Sequence, residues 1–224
     1  RPAGAHGPEP RGGNRDDFSA VMLKILRTGT EPSQICRLIY QHYDPDLCGN
    51  LPQLEELIGT KELRIISHTE NNVFIRYYSS KTPMLDYRVL HNEFVFETGR
   101  KLAFYGTPFC HAPGSFVTYD PATKTLFSSD IFGSYDSHWD LALELTEDCD
   151  DCVRQNICPH DGKRCPIYGI EQFHRRIMTS TRALKNALDV IESLEAERIA
   201  PQHGSIITTR EDARRVLEYL RSLN

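Results

Sequence analysis

An α/β fold is what this sequence predicts, on three observations. Its 224 residues are long for one ordinary domain and short for two, which suits a single large α/β unit. The middle of the chain is rich in short, strand-like apolar runs bounded by turn residues, whereas the last third repeats its apolar residues at helical spacing. At four places a strand-like run gives way to a loop carrying His or Asp: His42-Tyr43-Asp44-Pro45-Asp46, Cys110-His111, Ser129-Asp130-Ile131-Phe132-Gly133 and Pro201-Gln202-His203-Gly204.

The elements follow in order. Residues 1–16 are rich in Gly, Pro and Arg with hardly a large apolar side chain. Such a stretch cannot bury enough surface to offset its ordering entropy and reads as a flexible tail or linker, leaving 17–224 as the domain. From Asp17 onward Phe18, Val21, Met22, Ile25 and Leu26 recur at helical spacing, with Asp16 or Asp17 to cap the start and Gly29 to stop it. Residues 35–41 read as a strand running into His42, and 51–58 as a short helix. Strands are then predicted over 63–67, 73–78, 87–96, 101–109, 115–119 and 125–128. Asn71-Asn72, Thr98-Gly99 and Asp120-Pro121 supply turns between them. A long helical pattern covers 170–197, interrupted near Thr179-Ser180, and a brief strand over 198–201 delivers His203. The last helix starts at Thr209, with Asp212 three residues on as a partial capping box, and buries Ala213, Val216, Leu217 and Leu220.

Composition narrows the function classes. With 39% hydrophobic residues the chain can bury a sizeable core, and its net charge of -5 argues against a nucleic-acid-binding surface. No run of 18 apolar residues exists to span a membrane, and no apolar segment of the secretory type follows the first residues. Seven cysteines, an odd number with four clustered, fit a reducing compartment and a metal better than a disulfide framework. The cytoplasm is the expected setting.

The four His/Asp motifs together offer three imidazoles and three carboxylates: His42, His111, His203, Asp44, Asp46 and Asp130. A divalent metal needs such neutral or deprotonated donors converging within a few ångström, and this set suffices for two ions sharing one bridging Asp. In His42-Tyr43-Asp44-Pro45-Asp46 the donors alternate, so an extended segment would project them together, with Pro45 stiffening the run. The plainer alternative is a turn in which Asp46 caps the next helix. Three further His/Asp sites at strand ends outweigh it.

In this order, the motifs resemble those of the metallo-β-lactamase superfamily, and most closely its di-iron branch of flavodiiron and oxygen-binding di-iron proteins. The resemblance covers about residues 17–224. It implies an αβ/βα sandwich with a dinuclear site at one edge of two facing sheets. One iron would take His42, Asp44 and His111, the second Asp46 and His203, and Asp130 would bridge them. The family motif usually continues with a further His where this chain has Leu47, so the second ion would lack a protein ligand and keep more open positions. Asp44 stands where di-iron members often carry Glu and zinc hydrolases usually carry His. This carboxylate-rich set suits iron, or manganese, better than zinc. The strands that normally precede the first helix of this fold are missing or reduced in the pattern.

A second constellation lies at Cys149, Cys152, Cys158 and Cys165. Four thiolates suit a structural zinc or a [4Fe–4S] cluster, and the plainer alternative is two disulfides or free surface thiols. The segment lies outside the common core of the resembled family, which says nothing about it. His160, within the segment, could replace a thiolate. His68, His91 and His138 lack a matching motif and read as structural; His174 reads as either a neighbour of the site or a polar helix face. Tyr43, Phe132 and Tyr135 are candidates to line the pocket, and Cys110 is expected to point into the core.

Two functions remain from different classes, and no residue is assigned a catalytic role in either. One is a sensor or redox domain whose iron pair binds O2 or NO and reports through a redox or signalling protein partner. No flavodoxin-like FMN segment is present in the sequence, which favours this reading over multi-turnover reduction. The other is an enzyme: an O2 or NO reductase fed by an external donor, or a zinc hydrolase. The resemblance also implies that a homodimer is common among such proteins.

Overall fold

The computed structural model describes residues 15–78, 81–135, 140–150, 152 and 155–223. Residues 1–14 of the predicted tail lie outside the described residues, while Arg15–Asp17 form a 3-10 turn that leads into the first helix. His138 also lies outside them.

Two sheets meet between two helical layers. The smaller is parallel, in the order β1 (Arg37–Ile39), β2 (Arg64–Ser67), β3 (Met84–Asp86). The larger runs β4 (Glu93–Val95), β5 (Lys101–Gly106), β6 (Phe116–Asp120), β7 (Thr125–Phe127), β9 (Arg198–Ala200), β10 (Ile206–Ile207), β8 (Ala142–Leu143). An antiparallel meander makes up β4 to β7, after which β7 pairs in parallel with β9, Leu126 opposite Ile199. Ile66 of the small sheet packs with Phe104 and Phe116 of the large one and with Tyr87, closing the space between the sheets. This is the metallo-β-lactamase-like sandwich that the motifs imply.

Each sheet's outer face carries helices whose apolar stripes explain their docking. On the small sheet lie α1 (Phe18–Arg27), α2 (Pro45–Cys48), α3 (Leu51–Ile58) and α4 (Thr69–Ile75). In α3, Leu51, Leu54 and Ile58 are buried, and Gly59, at φ 61, ends the helix in the left-handed region. On the large sheet lie α5 (Pro166–Ile177), α6 (Thr181–Ser193) and α7 (Arg210–Ser222). Their Leu188, Val216 and Leu220 are fully buried against Leu126 and Ile199, each such side chain contributing about 1.5–3 kcal/mol. The cap predicted at Thr209 forms, accepting from the Asp212 N–H at 3.1 Å, and Ser180, at the predicted break, caps α6 by accepting from the Ala183 N–H at 3.2 Å. Asp17, by contrast, stands at the N-cap of α1 without a side-chain capping bond.

Two strand predictions fail. Residues 73–78 are not a strand, and Asn71-Asn72 is not a turn, because both fall on α4 and its end. His68 Nδ1 accepts from the Glu70 N–H and Asp86 from the Thr69 N–H, so the first turn is capped twice. The Asn71 amide is buried and donates to Gly114 O at 2.8 Å and Ser67 Oγ at 3.1 Å, anchoring the helix. Over 87–96 the predicted strand is broken: Tyr87–Leu90 is a 3-10 turn, and His91 and Asn92 take φ 55 and 61 before β4 begins. The short strands β3, β8 and β10 and the four-residue α2 are additions that no periodicity signalled. No helix among the described residues is long and apolar enough to cross a membrane.

Candidate metal centre

The sandwich places four strand exits at one edge, and a donor follows each. After β1, Tyr40 and Gln41 lead to His42. The Gln41 amide donates to Phe127 O at 2.7 Å and Thr118 Oγ1 at 3.1 Å, tying this exit to the large sheet. Asp44 is extended (φ -66, ψ 152) and opens α2, but its carboxylate makes no capping bond and stays available to the site. Asp46 lies in the first turn of α2. The predicted alternation along an extended run therefore holds only as far as Asp44, since Pro45 at the first helical position starts a helix.

The other exits are held by backbone bonds that continue the ladders. Beyond β7, Ser128 N–H donates to Ala200 O at 3.1 Å, and Gln202 N–H donates to Ser129 O at 2.8 Å, so the Asp130 and His203 loops travel together. Ser129 and Phe132 flank this Asp with φ 57 and 70, left-handed values unusual for side-chain-bearing residues. Gly133 is required by contact: a Cβ there would lie 2.7 Å from Phe173 Cε1 and 2.9 Å from Asp130 O. His111 lies in the loop from β5 to β6, closed by Thr107 N–H to Ser115 O at 2.8 Å. Cys110 is buried, as expected, though in this loop rather than on a strand, and burial pushes its thiol up to about 12.

The donors converge. One ligand atom from each of His42, Asp44, His111 and Asp130 lies within 4.8 Å of the others. His111 Nε2 is 2.8 Å from Asp130 Oδ2 and 3.6 Å from Asp44 Oδ2. Across Asp130, His203 Nε2 is 2.8 Å from Asp46 Oδ2 and 3.9 Å from Asp130 Oδ1. Asp130 thus faces both groups, one with each oxygen.

Polar satisfaction tests whether a cation fits. His42 Nε2, Asp130 Oδ1 and His203 Nε2 are buried without a hydrogen-bond partner among the described residues. The nearest group to His203 Nε2 is the Asp46 carboxylate, itself a candidate ligand, at 2.8 Å. Buried polar atoms are ordinarily paired, so three orphaned lone-pair donors around one bridging carboxylate fit a metal pair. Burial alone would raise the Asp130 carboxyl, but the His111 hydrogen bond and the nearby imidazoles hold it below the ordinary range. Burial likewise opposes charge on His111 and His203, yet Asp130, Asp44 and Asp46 raise both above a normal imidazole. A bound cation would take the place of those protons.

Two supporting residues were only partly visible in the sequence. Ser129 Oγ lies 2.8 Å from His42 Nδ1 and orients the ring so that Nε2 faces the site. Its place beside Asp130 was the signal, but not the pairing. His174 on α5 is buried; its Nε2 accepts from the Phe132 N–H at 3.1 Å and its Nδ1–H donates to Ile170 O at 2.7 Å. Burial lowers its pKa to about 4, in keeping with a neutral ring. It is therefore a support of the Asp130 loop rather than a surface residue. Of the aromatic candidates, Phe132 is buried and Tyr43 stacks on Phe74 at 4.3 Å. Half-exposed Tyr135 sits edge-on to Phe173 at 4.4 Å and 5.4 Å from the His203 ring.

The four cysteines are brought together as well. Cys149, Cys152, Cys158 and Cys165 line one cavity of about 280 Å³, with His160 at its wall.

Comparison with known proteins agrees with the fold. The family described as "ODP family beta lactamase" matches residues 11–204. A type A flavoprotein, fprA, of Rhodobacter capsulatus is 28% identical over 92% of this chain and 43% of its own length. Rubredoxin-oxygen oxidoreductase of Megalodesulfovibrio gigas is 30% identical over 85% of this chain and 44% of its own length. The chain thus spans less than half the length of these curated relatives. Among solved structures, the peroxy di-iron species of the chemotaxis sensor ODP superposes with a TM-score of 0.72 at 23% identity, covering 92% of this chain and 78% of that one. The chain belongs to the ODP family of the metallo-β-lactamase fold.

Proposed function

We propose that this member of the family is a non-haem di-iron domain that binds O2, or NO, and acts as a sensor or redox module with a protein partner. The observation that carries the reading is the set of three buried, unpaired donor atoms on His42, Asp130 and His203. Leaving such atoms unsatisfied costs roughly 1–3 kcal/mol each, and a pair of cations removes that cost. In this reading His42, Asp44 and His111 hold one ion, Asp46 and His203 hold the other, and Asp130 bridges. Three carboxylates favour iron, with manganese next, over zinc. When bound, iron supplies the redox chemistry that a diatomic gas requires.

The chain's own residues do the positioning. Ser129 holds the His42 ring, His174 holds the Phe132 amide behind Asp130, and Leu47 contributes no donor, which leaves the Asp46 and His203 side the more open. Tyr135, with Phe173, covers His203 from outside. The gas assignment draws support from the named relatives, a peroxy di-iron chemotaxis sensor and a rubredoxin-oxygen oxidoreductase. The second of these also supports the other reading, an O2 or NO reductase fed by an external electron donor. A reducing, cytoplasmic setting is supported by the free thiols of Cys36, Cys48 and Cys110.

Anaerobic purification followed by metal analysis tests the proposal. About two irons per chain are expected at the His/Asp centre, with a visible absorption band appearing on exposure to O2. Zinc alone at the centre, with turnover of a phosphodiester or β-lactam, would replace the reading with a hydrolase. Steady O2 or NO consumption with an added electron donor would favour the reductase.

A further inference from the structure

The Cys-rich segment is built into the fold rather than hung from it. Cys165 is buried and occupies the N-cap position of α5, with Pro166 as its first residue. Residues 156–165 form a small hairpin in which Ile157 bridges Arg164. Cys158 N–H donates to Lys163 O at 2.6 Å and Cys165 N–H to Asn156 O at 3.1 Å. This places Cys158 and Cys165 on one short ribbon, with Gly162 at φ 71 making its turn. The other arm is fastened to α7: Arg215 Nε donates to Asp150 Oδ1 at 2.9 Å, beside Cys149. Cys149 and Cys158 pack against the same apolar core in which Cys165 is buried.

The thiols surround a space. The cavity of about 280 Å³ that they line, with Leu145 and Ile167 as apolar walls, is several times the roughly 30 Å³ that a water molecule takes. A lone tetrahedral zinc would draw four sulfurs to about 3.8 Å from one another, given bonds of about 2.3 Å. Among the described residues, the set of His, Cys, Asp or Glu donors gathered as closely as 4.8 Å is the His42, Asp44, His111 and Asp130 group. Four thiols spread around a partly apolar chamber suit a larger inorganic core, in which each sulfur binds a different iron.

We propose that Cys149, Cys152, Cys158 and Cys165 hold a [4Fe–4S] cluster, separate from the His/Asp centre and independent of what that centre binds. At the start of α5 the Ile167 and Tyr168 amides donate towards the Cys165 sulfur. Such amide bonds to sulfur also tune the potential of a cluster. His160 stands at the wall as a neighbour, since four thiolates complete the ligand set.

The experiment is a count of iron and acid-labile sulfide on the full chain, purified anaerobically and reconstituted with ferrous iron and sulfide. The expected result is about four sulfides per chain and a broad absorption near roughly 400 nm that bleaches on reduction. A double variant, C152S/C158S, at two partly buried positions, should lose that sulfide and about four irons while keeping the iron of the His/Asp centre. The reciprocal variant His42→Ala should keep the sulfide, so failure here is distinguishable from failure of the di-iron reading. A wild-type chain without labile sulfide, or one that is colourless and releases a zinc to a chelator, overturns the proposal whether or not the double variant folds. So does a double variant that retains its sulfide.

Discussion

The two halves of the His/Asp centre are built unequally. On one side His42, Asp44, His111 and Asp130 converge within 4.8 Å, and a serine orients one imidazole. On the other, Asp46 and His203 stand 2.8 Å apart, and the next residue, Leu47, packs into the apolar cluster around Tyr40, Cys48 and Leu51. One half is a finished set of donors, and the other is a pair that leans on the shared Asp130. In the proposed di-iron reading, coordination positions that the protein leaves empty belong to water or a ligand, so the poorer half is where an exogenous molecule would find room.

Substitutions can break or sharpen this comparison. Asp130→Ala should do the most damage, taking the iron of this centre from about two per chain to none, because both halves use this carboxylate. Retention of a full pair in that variant would refute the bridge. His203→Ala should empty the poorer half alone and leave about one iron at this centre, counted by elemental analysis beyond the iron matched by labile sulfide; equal loss from both halves would show that they are not separable. Ser129→Ala removes only the partner of His42 Nδ1 and should weaken iron at the richer half by about 10–100-fold, the usual range for a residue that orients a ligand. A chelator competition reads it.

Leu47→His is the constructive version: it should slow chelation of the second iron while lowering stability by about 1–3 kcal/mol, because a polar ring replaces a packed leucine. Unchanged chelation would mean that the new ring stays in the apolar cluster. The smallest effect belongs far from the centre. Thr209→Ala removes the cap of α7 and should cost about 1 kcal/mol in denaturant melts with iron content unchanged.

Much of the site could be read in the sequence because its donors sit in short motifs at strand ends. All six meet at one edge, where the sandwich delivers them. What stayed hidden were partnerships across the chain, such as Ser129 with His42, 87 residues apart. His174 illustrates the same limit, since helical periodicity gave no hint that its ring reaches the Phe132 amide. The fold was legible wherever an element carries its own apolar stripe and caps, as α3, α6 and α7 do. It was misread at α4, where Val73 and Phe74 are exposed and the helix depends on caps from His68 and Asp86 and on the buried Asn71 amide. Two-residue strands such as β8 and β10 exist only because neighbouring strands complete their hydrogen bonds, which no local pattern encodes.

Helix α5 spans the distance between the cysteine cluster and the His/Asp centre. It begins at Cys165 and holds the Phe132 amide through His174, nine residues or roughly 14 Å further along its axis. Between these points the Glu171 carboxylate accepts from the Tyr219 hydroxyl of α7, bracing the rod midway. One helix thus carries both the thiol end and the support of the Asp130 loop, with α7 bonded to it between them.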